Sequence, residues 1–214
     1  MAEEDVAIER AIPKKVDDTP DVENDETVTD VTPSSWRKVF EERQYTDPTK
    51  VPPYDWKGGD LAVGYPKDAP GAAFLGQRLY ITAGSEIAYV LDLVKEGQLS
   101  WLTLEFKVPR QILAEHRDLT FALRGAAMRA PFVAALKTYR RTKDGKELRE
   151  GLGQFSFSMQ PQTFSKAIPV AERENIEEFK FFLEFNTAHF FGCAVDAVKL
   201  LAPAHQAKAG KAAA

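Results

Sequence analysis

The sequence has few of the residues from which disulfides and metal centres are built. Cys193 is the single cysteine among 214 residues, and there are three histidines. No disulfide can form within the chain, and a structural zinc site of the usual Cys/His type lacks its ligands. We therefore expect a fold that depends on neither oxidation nor a metal, and we expect no cofactor.

Long apolar runs are also missing. No stretch approaches the roughly 18 residues that a membrane-spanning helix requires. The first residues, Met1–Val6, are acidic and do not resemble a secretory signal, which begins basic and then turns apolar. The sequence predicts a cytoplasmic protein without a membrane span.

The familiar catalytic motifs are absent as well. There is no glycine loop for phosphates, no Gly-x-Ser-x-Gly turn and no His-Glu-x-x-His helix motif. His189, Cys193 and Asp196 come nearest to a catalytic set. However, Cys193 and Asp196 are three residues apart on a predicted strand and should face opposite sides. We expect a turn histidine here and a protein that is not an enzyme.

The first 33 residues contain no Phe, Tyr, Trp or Leu, and eleven of them are acidic against three basic. Such a segment cannot bury enough apolar surface to offset the entropy of ordering it. The sequence predicts a disordered acidic tail over residues 1–33, a folded domain over 34–203 and a frayed tail over 204–214. The tail is either a solubilising extension or a docking arm. The rest of the chain is only mildly basic, which argues against a nucleic-acid partner.

What the sequence does contain is a series of strand signals. Residues 99–108 are the clearest, because Leu102, Leu104 and Phe106 alternate with polar residues at a period of two. Ahead of them, residues 37–42 can form a short helix that places Trp36, Val39 and Phe40 on one face. Further strands are predicted at 78–82, 119–125, 132–141, 153–159, 179–185 and 192–201, with a hairpin at Asp144-Gly145, while residues 86–93 are compatible with either a strand or a helix turn. This spacing is typical of an all-β sandwich or barrel.

The second half of the chain has a more specific pattern. An alternating aromatic strand, Phe179–Phe185, precedes a last strand of small residues with the sequence Val195-Asp196-Ala197-Val198-Lys199-Leu200. Over residues 99–201 this pattern resembles the galactose-binding-like, carbohydrate-binding-module sandwich. The resemblance implies an antiparallel jelly-roll-type β-sandwich with no catalytic role. It also implies a glycan ligand, held by the loops at one end or on a concave sheet face.

Glycan recognition requires aromatic rings to stack on sugars and polar groups to meet hydroxyls. The candidate ligand-binding residues are Trp56, Trp101, Arg124, Arg129, Tyr139 and Asp196, with Tyr54 beside Trp56. Trp101 is notable because the other residues on its side of the strand are polar, although an indole packed beneath a loop would give the same pattern. Asp196 lies within an apolar strand, where it is either a structural carboxylate or a contact to a ligand or calcium ion.

Two kinds of function fit these observations. The first is a non-catalytic module that binds a carbohydrate or glycoconjugate. The second is a structural or assembly protein, such as a virion, decoration or scaffold subunit, in which the sandwich serves as a packing block. A glycan or a protein is therefore the expected partner.

Overall fold

The computed structural model describes residues 28–45, 48–56, 60–81, 87–170 and 175–204. Twelve strands and two short helices are found in these ranges. In chain order they are β1 Val28–Asp30, α1 Ser34–Glu41, β2 Thr49–Lys50, β3 Leu61–Gly64, β4 Ala72–Ile81, β5 Ile87–Glu96, β6 Leu102–Lys107, α2 Arg110–Glu115, β7 Asp118–Ala127, β8 Phe132–Thr142, β9 Glu147–Phe157, β10 Gln162–Pro169, β11 Ile176–Phe185 and β12 Gly192–Pro203.

The strands form two sheets, and every strand pairing is antiparallel. The first sheet has the order β10-β7-β12-β5-β4-β2, and β1 also pairs with β12. The second sheet has the order β3-β6-β11-β8-β9. The all-β antiparallel sandwich expected from the sequence is confirmed.

The core lies between the sheets and consists largely of the predicted inward positions. Leu102, Leu104 and Phe106 of β6 are fully buried. The Phe121 ring of the first sheet lies 4.9 Å from the Phe181 ring of the second. Each such side chain contributes about 1.5–3 kcal/mol by burial, so the alternation read from the sequence is what holds the two sheets together.

Helix α1 closes one end of the sandwich, which we call the closed end. Its buried face carries Trp36, Val39 and Phe40, as the sequence predicted. The Trp36 indole reaches between the sheets, 5.4 Å from the Phe106 ring, and its Nε1 donates to the backbone oxygen of Lys107 at 3.1 Å. The helix is thereby fixed to the last residue of β6.

A buried side chain of the first sheet fixes the chain that follows α1. The Gln77 amide donates to the backbone oxygens of Val39 and Glu42, and its oxygen accepts from the backbone nitrogens of Gln44 and Tyr45. One glutamine thus satisfies four backbone groups at the end of the helix, where such groups otherwise lack partners.

Strand β1 corrects part of the predicted tail. Residues 28–33 were expected to be disordered, but Val28–Asp30 pair with β12 in the register Val28↔Pro203. Thr32 adds a buried link, because its hydroxyl accepts from the Leu200 nitrogen at 2.9 Å. These residues are ordered by hydrogen bonds to β12, although they contribute little apolar surface. Residues 1–27 and 205–214 lie outside the described residues, so the rest of both tails stays a prediction.

Strand β12 changes neighbours along its length. Its first residues, Gly192–Val195, pair with β5, whereas its last three pair with β1. Between the two stretches, the register against β7 shifts around Val195 and Ala197, which marks Asp196 as the extra residue of a β-bulge. The position of Asp196 therefore follows from a local irregularity of the strand.

Candidate ligand-binding face

The outward face of the second sheet is unusual because aromatic and charged side chains on it are buried. Glu105, Tyr139 and Phe182 are 4%, 7% and 7% exposed, although none of them belongs to the core between the sheets. Their strands, β6, β8 and β11, are neighbours at the centre of the sheet. A side chain that is buried on an outer face must be covered by other groups on that face.

Residues 51–56, here called the covering segment, cross from one sheet to the other beside this face. The Val51 nitrogen donates to the Ala73 oxygen of the first sheet at 3.1 Å, and the Tyr54 nitrogen donates to the Val63 oxygen of the second at 2.8 Å. Tyr54 has a φ of +60°, the left-handed conformation that a non-glycine residue seldom adopts. The segment therefore turns sharply at Tyr54 and brings that ring to the edge of the face.

The Lys180 ammonium is the centre of the face. Its Nζ lies 2.6 Å from Glu105 Oε2, and three aromatic rings surround it. The distances from Nζ to the ring centroids are 4.8 Å for Tyr139, 5.4 Å for Trp56 and 5.8 Å for Tyr54. These are cation–π distances, and they join β8, β11 and the covering segment in one cluster.

A glycine permits this arrangement. A methyl group at Gly64 would overlap Thr103 Oγ1 and lie 3.0 Å from both Glu105 Oε1 and Tyr54 Cε1. Thr103 also donates from its hydroxyl to Glu105 Oε1 at 2.8 Å. Both oxygens of Glu105 are thus occupied, one by Thr103 and the other by Lys180. The absence of a side chain at Gly64 is what lets the covering segment lie this close to the sheet.

Other charges on the same sheet are also paired. Lys137 Nζ lies 2.7 Å from Glu184 Oε2, and Arg141 lies 3.0 Å from Glu177. The Arg149 guanidinium sits 5.9 Å from the Tyr139 ring centroid. The face therefore combines aromatic surface with charges that largely cancel.

Two phenols on this face keep their protons at neutral pH. Burial raises the pKa of Tyr54, and the nearby Glu105 carboxylate raises it further. Burial also raises the pKa of Tyr139, with a hydrogen bond to Glu147 as the next cause. The half-exposed Tyr54 hydroxyl can therefore donate a hydrogen bond to a bound ligand, whereas the Tyr139 hydroxyl donates to Glu147.

The structure brings together three of the six candidate residues. Trp56 and Tyr139 both surround Lys180, and the Trp101 ring lies 6.0 Å from the Tyr54 ring. Glu105, Thr103, Lys180 and Gly64 were not candidates. A signal for Glu105 was present, because Trp101, Thr103 and Glu105 stand at alternate positions of the sequence, but nothing nearby in the sequence indicated Lys180.

The other three candidates lie elsewhere. Arg124 and Asp196 are on the first sheet, where Arg124 Nη1 lies 3.3 Å from Asp196 Oδ2. Asp196 Oδ1 is buried and has no hydrogen-bond partner among the described residues, and burial raises the pKa of this carboxyl although Arg124 acts to lower it. Arg129 is exposed in the loop after β7. These residues do not contribute to the face around Lys180.

The structure keeps the residues of the considered catalytic set apart. Cys193 is fully buried, and burial raises the pKa of its thiol far above the usual range. His189 lies in an exposed turn, while Asp196 pairs with Arg124. Within the described ranges, no three His, Cys, Asp or Glu side chains are grouped as a metal site requires. The same part of the chain has no helix long and apolar enough to span a membrane.

Comparison with known proteins gives structural likeness only. No protein-family model and no curated protein sequence matches the chain. Among solved structures, the family 11 carbohydrate-binding module from Clostridium thermocellum, in complex with a β-1,3-1,4-mixed-linked tetrasaccharide, is 7% identical over 66% of this chain and 88% of its own, with a TM-score of 0.45. The C-terminal family 22 module of Clostridium thermocellum Xyn10B is 8% identical over 74% of this chain and 98% of its own, with a TM-score of 0.48.

A third structure, described as carbohydrate-binding modules from the β-sandwich superfamily, is 12% identical over 72% of this chain and 62% of its own, with a TM-score of 0.49. The solved structures to which this chain is similar thus include β-sandwich carbohydrate-binding modules.

Proposed function

We propose that the chain is a non-catalytic binding protein that recognises a glycan on the outward face of the second sheet. The observation that carries the proposal is the cluster of Tyr54, Trp56 and Tyr139 around one lysine, with Trp101 beside Tyr54. The Tyr54 side chain is 42% exposed, so part of this aromatic surface is available to a ligand. Aromatic rings of this kind stack on the C–H faces of sugar rings, while nearby polar groups meet the hydroxyls.

The charges of the face favour a neutral glycan. Lys180 and Lys137 each have a carboxylate within 2.7 Å. A ligand carboxylate or sulfate would have to compete with these internal partners, which are already in position. Neutral hydroxyls can accept from the remaining N–H groups and donate to the carboxylate oxygens without breaking either pair.

The test is binding of neutral oligosaccharides to the full chain, first on a glycan array and then by calorimetry. We expect Trp56→Ala and Trp101→Ala to weaken binding by about tenfold or more, equivalent to about 1.4 kcal/mol. Phe191→Ala is the matched control, because that ring is exposed in the β11–β12 loop, away from the cluster. Binding that survives both tryptophan changes, or that is lost equally in the control, would remove this face from consideration.

An assembly role is the second candidate. It is favoured by exposed apolar side chains at the end of the sandwich opposite α1. Met128, Met159 and Phe191 project from three loops there. Met128 and Phe191 are close, since the Met128 nitrogen donates to the Gly192 oxygen at 3.1 Å. Light scattering after size-exclusion chromatography distinguishes the two functions: a stable oligomer abolished by Phe191→Asp, in a chain that binds no glycan, supports assembly.

A cytoplasmic location and the absence of a nucleic-acid partner stay predictions of the sequence.

A further inference from the structure

The end of the sandwich opposite α1, here called the open end, contains a cleft that the aromatic face does not include. It is open to solvent and has a volume of about 780 Å³, within the range of small-ligand sites. Three loop segments line it, at residues 66–70, 98–100 and 187–188, together with Lys95 near the end of β5. Pro66 and Pro70 give it rigid apolar walls, while Gln98, Ser100 and Thr187 supply polar groups.

Lys95 is the distinctive residue of this cleft. It follows Leu91 and Leu93 at alternate positions of β5, and both leucines are fully buried in the core. Lys95 therefore continues the inward-facing row of its strand to the point where the two sheets part at the open end. A cation in such a place is costly unless its N–H groups find partners.

The partner that Lys95 has is neutral. Its Nζ donates to the backbone oxygen of Thr187 at 2.5 Å, and no carboxylate of the described residues forms an ion pair with it. Lys67 also lines the cleft and likewise has no ion pair in the described part of the chain. Asp68 is the one acidic residue of the lining, so the cleft carries a positive excess.

This charge pattern is the opposite of that on the aromatic face. There, Lys180 and Lys137 are each paired with a glutamate, whereas Lys95 is fixed by a carbonyl that leaves its charge uncompensated. A ligand carboxylate placed beside Lys95 would supply the missing counter-charge through a charge-assisted hydrogen bond.

We propose that the open-end cleft is a second binding site, which takes an acidic sugar, a hexuronate whose carboxylate pairs with Lys95. The sugar ring packs its C–H face on Pro66 and Pro70, and its hydroxyls meet Gln98 and Ser100. A carboxylate alone would use the lysine but not these walls, and a neutral sugar would leave the lysine uncompensated. The hexuronate is the simplest ligand that uses both features.

The test is a titration of the isotopically labelled full chain at neutral pH and low salt, in which amide NMR shifts report ligand binding. The ligands are glucuronate, glucose and acetate. We expect glucuronate to shift the amides of residues 65–71, 95–100 and 186–189, with much smaller effects from the other two. Glucose or acetate acting as strongly as glucuronate would overturn the proposal, as would shifts that are absent from these three loops.

Two variants sharpen the result. Lys95→Gln should weaken glucuronate binding about tenfold, the usual effect of losing a hydrogen bond to a charged group. Lys67→Gln, at an exposed position, should weaken it by a smaller factor without disturbing the fold. Lys166→Gln on β10 is the matched control, since Lys166 is an exposed lysine remote from the cleft. An unchanged affinity in Lys95→Gln would overturn the proposal.

The outcome is independent of the aromatic face. Trp56→Ala, which should weaken binding of neutral glycans by about tenfold or more, should leave glucuronate binding unchanged. Loss of glucuronate binding in Trp56→Ala would assign the acidic sugar to the aromatic face and overturn the second site. If no neutral glycan binds to the aromatic face, the proposal of a hexuronate site in the cleft is still decided by the glucuronate titration.

Discussion

Lys180 and Glu105 form an ion pair across two neighbouring strands, yet they are not opposite each other. In the register of β11 against β6, Lys180 faces Lys107, and Glu105 faces Phe182. The Lys180 side chain therefore extends diagonally to place Nζ 2.6 Å from Glu105 Oε2. The diagonal course separates two like charges and brings the ammonium among the aromatic rings.

Removing Lys180 should lower the stability of the protein because it leaves the buried Glu105 carboxylate without its counter-charge. We expect Lys180→Met to lower the free energy of unfolding by about 2–3 kcal/mol, less than for a fully buried pair because the lysine is partly exposed. Urea denaturation, monitored by tryptophan fluorescence, measures this loss in the free energy of unfolding. Lys137→Met is the control, since its pair with Glu184 is much more open to solvent than the Lys180–Glu105 pair and should contribute about 1 kcal/mol.

The double variant gives a further check on the pair. Glu105→Gln combined with Lys180→Met removes both charges and should recover most of the stability lost in the single variant. A double variant as unstable as the sum of the two singles would contradict a direct ion pair.

Gly64 should not tolerate a methyl group. Its Cβ would overlap Thr103 Oγ1 and press on Glu105 and Tyr54, so Gly64→Ala should cost about 1–3 kcal/mol and displace the covering segment. We expect loss of neutral glycan binding together with the loss of stability, measured by calorimetry and urea denaturation. Gly151→Ala is the control, because no atom of the described residues lies within 4 Å of the equivalent Cβ. Equal effects from the two changes would show that contact with the covering segment is not the cause.

Asp196 should make the protein less stable as the pH rises. Burial raises its pKa above the ordinary value of 3.8, so the folded chain holds this proton more tightly than the unfolded chain does. Stability should therefore fall as the pH rises from 3.8 through the folded pKa and stay level above it.

Asp196→Asn cannot ionise and should lack this part of the pH dependence. The urea midpoint of the variant relative to the native chain should move upward over that interval and then stay constant. Asp118→Asn on β7, an exposed carboxylate, serves for comparison. A difference between variant and native chain that does not change with pH would rule out Asp196 as the titrating group.

The Cys193 thiol should be unreactive while the chain is folded. Burial raises its pKa, and the Asp92 carboxylate raises it further, so the reactive thiolate is not formed in the core. We expect no reaction with a disulfide reagent in buffer and complete reaction in concentrated urea. Rapid labelling in buffer would mean that the first sheet opens locally around β12.

The sequence predicted the strands whose alternation is strict. Phe179–Phe185 and Leu102–Val108 show it because one side of each strand fills the core, and their inward residues were assigned correctly. The hairpin at Asp144-Gly145 was also predicted, and Gly145 has the positive φ that such a turn requires. Strand β10 was missed: it pairs with β7 alone and has mixed composition, so burial imposes no clear period on it.

The candidate site was only half predictable, for a geometric reason. Alternation tells which side of a strand a residue occupies, but not which sheet the strand joins. Trp101 and Asp196 were both candidates, yet Trp101 directly precedes β6 of the second sheet, whereas Asp196 lies in β12 of the first. Lys180 and Glu105 are 75 residues apart in sequence, and no local pattern indicates that they form a pair.

The pairing of β1 with β12 has a consequence for how this domain can be joined to other chains. Val28 lies directly across from Pro203, so the described chain enters and leaves at neighbouring points of the closed end. A carrier protein joined directly at Val28 or at Pro203 would be attached at the closed end, opposite the open-end cleft. Joining these two points by a short linker would also allow new termini to be cut in a loop, a circular permutation that the sheet pairing should tolerate.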